Sequence, residues 1–187
     1  MASRALIPTW IDQQSFTTQS QRRIATASAW FMGALLLTAL AQISIPLPWT
    51  PVPITGQTFG VALLALLWGR KLGAGIVGGY VLLGLTGLPI LATAKLGPTS
   101  GYLVGMVLAS YVVGGLADRG WTSTFPRALA AAYVGSTLIF GLGLLVLSYF
   151  VPSEALLGAG LFPFMPGDLI KNILAATIAT GAARARP

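Results

Sequence analysis

Apolar residues run along this chain in long, nearly unbroken stretches, and polar residues are confined to short punctuations between them. No charged residue occurs between Arg23 and Arg70, between Lys71 and Lys95, between Lys95 and Asp118, or between Arg127 and Glu154. A transmembrane helix needs about 20 apolar residues, so stretches of this kind predict membrane spans. The pattern predicts six helices, over 24–45, 56–69, 72–88, 102–116, 128–151 and from Asp168 to the basic pair Arg184 and Arg186. The expected division is a polar tail over 1–23, with a surface helix in it, and a six-helix transmembrane domain over 24–187. The first apolar run is too long for a signal-peptide core and is read as a span.

Two connections stand out. From Ile45 to Thr55 the chain carries Pro46, Pro48, Pro51 and Pro53, which cannot be helical. Non-helical backbone at membrane depth is tolerated where it is buried in protein or lines a cavity, so this loop is expected to wall a site. The sixth helix is preceded by Pro166 and Gly167, and its first turn holds Asp168 with Lys171 on the same face. A carboxylate at the positive end of a helix dipole is favourable, yet one beside membrane-type sequence is costly and marks a functional site by default.

Composition sharpens this picture. The chain is 55% hydrophobic and 8% charged, against about a quarter charged in a soluble domain. Its formal charge of +7 lies in clusters between the apolar runs, not on a basic face interleaved with aromatics, so a nucleic-acid partner is not expected. Of 11 Lys and Arg residues, only Lys95 and Lys171 fall at the odd-numbered turns. The positive-inside rule then puts both termini in the cytoplasm and the Pro-rich loop, the Lys95–Tyr102 loop and the Pro166–Lys171 entry on one outer face. Cysteine and histidine are absent, which removes thiol nucleophiles, imidazole bases and nearly all transition-metal sites, and no metal or cofactor is expected. No G-x-x-x-x-G-K-[ST] loop occurs, so the chain is not expected to hydrolyse ATP itself.

The candidate ligand set is Asp168 and Lys171, with Trp49, Gln57 and Tyr102 from the outer loops completing a mostly apolar pocket. Lys171 offers charged N–H donors and Asp168 accepts N–H bonds; alternatively the two simply neutralise each other. Tyr80 and Lys95 are further candidates; Tyr80 and Tyr102 are more often packing or interfacial tyrosines than ligands, and Gln57 is also explained as a cap of the second helix. On the first helix, Ala25, Ala29 and Gly33 recur every fourth residue, a spacing that admits close helix approach. That stripe serves either packing within the bundle or docking to a separate membrane protein.

The segment from Ala41 through Pro46, Pro48, Trp49, Pro51 and Pro53 to Gln57 and Phe59 resembles the first signature of the BioY family. Leu96–Tyr102 resembles its second, and Pro166–Lys171 its third. Members of that family are the biotin-binding S components of energy-coupling factor (ECF) vitamin transporters. The resemblance implies an all-α bundle of six transmembrane helices in the cell (inner) membrane and high-affinity capture of biotin from outside. It also implies a transmembrane coupling protein and a pair of ABC-type ATPases as partners. It further implies that Asp168 and Lys171 contact biotin, and that Ala25 and Ala29 belong to the docking surface. The alternative is a solitary biotin carrier acting without the ATPases. An intramembrane Ser–Lys hydrolase is disfavoured, because no serine lies near Lys171 in the sequence.

Overall fold

A computed structural model describes residues 5–16, 18–92 and 97–185. The chain is mostly helical: α1 (Leu6–Gln13), α2 (Gln19–Gln42), α3 (Gln57–Leu85), α4 (Ser100–Asp118), α5 (Phe125–Leu147), α6 (Leu156–Gly160) and α7 (Met165–Arg184). Four of these, α2 to α5, are long and apolar enough to cross a membrane. A two-residue antiparallel ribbon, β1 (Ser44–Ile45) with β2 (Ile54–Thr55), closes the base of the Pro-rich loop, with Ser44 opposite Thr55.

The helix α3 is in fact a hairpin. At Gly69 the backbone turns to φ 72° and ψ −174°, far from helical values. The two halves, 57–68 and 70–85, fold back on one another, so that Gln57 at one end reaches Tyr80 near the other. A Cβ at Gly73 would sit 3.2 Å from the Leu64 carbonyl oxygen, which shows how closely the halves pack. The first amide of the second half has no intrahelical acceptor, and Asp118 at the end of α4 supplies one: Arg70 N–H donates to its Oδ2 at 3.1 Å. Gly114 lets α4 approach that turn, since a Cβ there would lie 2.6 Å from the backbone at Gly69 and Arg70. With α3 counted as two, the expectation of six long helical segments holds, and the chain turn falls at Gly69, just before the expected Arg70–Lys71 turn.

Other boundaries differ for physical reasons. The expected first helix begins at residue 24, whereas α2 begins at Gln19, because Thr18 and Gln21 form a reciprocal capping box ahead of the apolar run. Hydropathy marks where a helix becomes apolar, not where it starts. Within the expected tail, α1 packs against α3 with Ile11 buried, and an ion pair from Arg22 to Asp12 ties it to α2. α6 was not expected; five residues are too few for a periodic signal.

The packing core runs through α3 and α4, with Leu64, Leu66, Ile76, Val77 and Val113 fully enclosed. α5 lies against α4, and α7 closes the bundle against α3 and α5. Gly33 is buried against α3, where a Cβ would meet Ile76 Cδ1 at 2.7 Å and Leu64 Cδ2 at 3.0 Å. The Ala29 carbonyl accepts a hydrogen bond from Trp68 Nε1 at 2.8 Å. Gly33 therefore serves packing inside the bundle and is not available to a partner; Ala25 and Ala29 are half-buried at the edge of the same contact.

The Gly69 turn gives a paired test. Gly69→Ala forces a side chain into the left-handed region and against the Asp118 carboxylate and Ala5, and should cost at least about 1–2 kcal/mol. Gly78→Ala, at a helical position with nothing within 4 Å of the added Cβ, should be neutral or stabilise by up to about 1 kcal/mol. Thermal unfolding of both variants in detergent reads the difference; equal midpoints would contradict the hairpin.

Candidate functional site

At the end of the bundle away from the chain termini, the Pro-rich loop, the α4 entry and the α7 entry converge on a cavity of about 610 Å³. Val52, Pro53 and Thr55 form one wall, as expected of a proline-stiffened loop at this depth. Thr50 anchors that loop by donating to the Ala159 carbonyl of α6 at 2.7 Å. Tyr102 does the same from α4, its hydroxyl donating to the Gly160 carbonyl at 2.8 Å. The role of α6 is thus to present two carbonyls that hold the cavity's rim.

Asp168 and Lys171 both line the cavity, yet no ion pair joins them directly. The carboxylate is bonded from behind. Ser136 Oγ on α5 donates to Oδ1 at 2.8 Å, and Asn172 Nδ2, one turn further along α7, donates to Oδ2 at 2.9 Å. Asn172 Nδ2 also donates to Ser136 Oγ at 2.8 Å, closing a triangle of buried polar groups. A carboxylate has about four acceptor positions, so two remain after these bonds. Lys171 Nζ donates to the Thr55 carbonyl at 2.7 Å and to Thr58 Oγ1 at 3.3 Å. Those bonds link α7 to the base of the Pro-rich loop and leave the ammonium one of its three donors.

Gln57, buried at the start of α3, also lines the cavity. Its Nε2 donates to the Tyr80 hydroxyl at 2.8 Å, and its Oε1 accepts from Thr55 Oγ1 at 3.2 Å. Tyr80 in turn donates to the Ile90 carbonyl at 2.9 Å. Tyr80 does not line the cavity; it orients Gln57 from behind and pins the loop after α3. On the opposite wall Tyr102 and Phe140 meet edge-on with centroids 6.4 Å apart, and Phe164 follows at 6.3 Å. Together with Leu103, Met106 and Ile139 they make an apolar, partly aromatic wall.

Of the expected ligand set, then, Asp168, Lys171, Gln57 and Tyr102 share one cavity. Trp49 does not: it is 63% exposed at the tip of the Pro-rich loop and outside the cavity lining. The prolines around it stiffen the loop and turn Val52 and Pro53 inward instead. Lys95 lies outside the described residues. Ser136, Asn172, Phe140 and Phe164 were missed. Asn172 was discoverable, being four residues after Asp168 on the same helical face; a single serine in an apolar helix carries no such signal. Among the described residues no group of His, Cys, Asp and Glu is arranged to hold a metal ion.

Comparison with known proteins agrees with this architecture. The model of the BioY family matches residues 13–187. A biotin transporter BioY from Thermotoga maritima is 42% identical over 151 residues, covering 77% of this chain and 87% of the relative. A biotin transporter BioY from Rhodobacter capsulatus is 34% identical over 176 residues, covering 82% and 90%. Among solved structures, the S-component for biotin from an ECF-type ABC transporter superposes with a TM-score of 0.80 at 27% identity, covering 91% of this chain and 96% of that one. The fold is that of an ECF S-component, and the chain belongs to the BioY family.

Proposed function

We propose that this chain is the biotin-capturing component of an ECF transporter and that biotin occupies the Asp168–Lys171 cavity. The carrying observation is the unused bonding capacity there: two acceptor positions on a buried carboxylate and one donor on a nearby ammonium, facing one apolar cavity. Biotin's ureido ring offers two N–H donors and a carbonyl, a complementary set. Its N–H groups meet Asp168, and its carbonyl meets Lys171 and the second amide hydrogen of Gln57. The fused thioether ring lies against Tyr102, Phe140 and Phe164, and the valerate points towards Leu91, Ala92 and Thr99 at the mouth. The pocket contributes binding and orientation only, so the chain acts as a transport protein and not an enzyme.

Within the membrane, both termini face the cytoplasm and the cavity opens outward. Arg22, Arg23, Arg70, Lys71, Arg119, Arg127 and Arg184 gather at the terminal end, which supports this orientation. ATP hydrolysis belongs to a pair of ABC-type ATPases reached through a transmembrane coupling protein, with Ala25 and Ala29 at the edge of its docking surface.

Asp168→Asn should weaken biotin binding by about 1–3 kcal/mol, the range for removing a charged hydrogen-bond partner. Combined with Lys171→Met the losses should be non-additive, because both groups act on one ring. Isothermal titration measures this, and wild-type affinity in either single variant would place the ligand elsewhere. For orientation, a cysteine replacing Ser153 should react with an impermeant thiol reagent added to intact cells, whereas one replacing Ser20 should not. Labelling at residue 20 alone would invert the topology.

A further inference from the structure

A second cavity lies at the opposite end of the bundle, where α1, the start of α2, the Gly69 turn and the end of α4 meet around about 1460 Å³ of open space. Four basic side chains line it, Arg22, Arg70, Lys71 and Arg119, with two carboxylates, Asp12 and Asp118. The carboxylates are engaged: Asp12 pairs with Arg22, and Asp118 accepts the Arg70 backbone amide. Arg70, Lys71 and Arg119 form no salt bridge among the described residues. The Arg70 guanidinium is also held in place. It stacks over the Tyr111 ring, 4.7 Å from the centroid, in a notch that exists because Gly115 has no side chain. Its Nε is buried there without a hydrogen-bond partner. Fixing an arginine by stacking and steric fit, not by a counter-ion, leaves its outer N–H groups and its charge directed at the cavity.

The neighbouring surface says what kind of anion fits. Val104, Leu108 and Tyr111 are exposed along one face of α4, at i, i+4 and i+7, and lead directly to the guanidinium. Trp10 is exposed on α1 beside the same cavity, a residue type favoured at the membrane–water interface. An apolar stripe ending in an unpaired cationic cluster matches a molecule with an acyl tail and an anionic head. We propose that this cavity binds one anionic phospholipid, its phosphate held by Arg70, Lys71 and Arg119 and its acyl chains lying along Val104 and Leu108. The site is remote from the Asp168 cavity and does not depend on the identity of the ligand there.

The test is native mass spectrometry of the full-length protein released from mild detergent after incubation with equal amounts of phosphatidylglycerol and phosphatidylcholine. The wild type should retain one phosphatidylglycerol in preference to phosphatidylcholine. Each basic residue near a headgroup contributes on a scale that corresponds to about fivefold. Arg70→Gln and Arg119→Gln should therefore each lower phosphatidylglycerol retention about fivefold, and together about 25-fold, leaving phosphatidylcholine unchanged. Arg119 is exposed, so its variant keeps the test valid if Arg70→Gln fails to fold. Equal retention of the two lipids in the wild type, as expected if this end instead docks a protein, would overturn the proposal. So would undiminished phosphatidylglycerol retention in the variants. Displacement by soluble glycerol phosphate at equal concentration would identify a site for a free anion, and would overturn it too.

Discussion

A carboxylate placed among apolar helices must have its charge answered by hydrogen bonds, and much of this molecule's cavity end is arranged around that requirement. Asp168 obtains bonds from Ser136 on α5 and Asn172 on α7. Those bonds approach from one side, so the remaining acceptor capacity faces the cavity. Had Lys171 paired with Asp168 directly, each group would have satisfied the other and little would be left for a ligand. Instead Lys171 reaches across to Thr55 and Thr58, holding the Pro-rich wall against α7. The cost of burying two charges is thereby offset by protein groups without closing the site.

Preorganisation extends outward from this pair. The Pro-rich loop is already restricted by its prolines, and Thr50 fastens it to α6, so a ligand at this wall would cost it little further entropy. Tyr80 fixes Gln57, and Tyr102 fixes the α4 entry, each through a hydroxyl aimed away from the ligand space. The two tyrosines therefore divide the work differently. Tyr102 presents its ring to the cavity, whereas Tyr80 acts entirely from behind.

Much of this was legible in the sequence, and the failures have identifiable causes. Long uncharged runs marked the helical segments, and the Arg70–Lys71 pair located the hairpin turn to within a residue or two of Gly69. An Asp and a Lys three residues apart on one helix face pointed to the cavity. Helix starts were less visible, because the Thr18 capping box precedes the apolar run and α6 is too short to show periodicity. The small-residue stripe on α2 was ambiguous in principle: Gly33 needs close approach, but spacing alone does not name the approaching helix, which is α3. Trp49 was drawn into the site by its neighbours in sequence, although successive residues of an extended loop point to opposite sides. Ser136 was out of reach, since its importance comes only from α5 packing against α7.

In the mode proposed above, biotin is bound through the free valences of Asp168 and Lys171 without rearrangement of the network behind them. A high-resolution structure of the protein with biotin tests this most directly. Ureido nitrogens are expected within hydrogen-bond distance of the Asp168 carboxylate, with the ureido oxygen on Lys171 and the Ser136–Asn172–Asp168 triangle unchanged. Biotin density away from this cavity, or a bound state in which Asp168 and Lys171 pair with each other and not with the ligand, would contradict it.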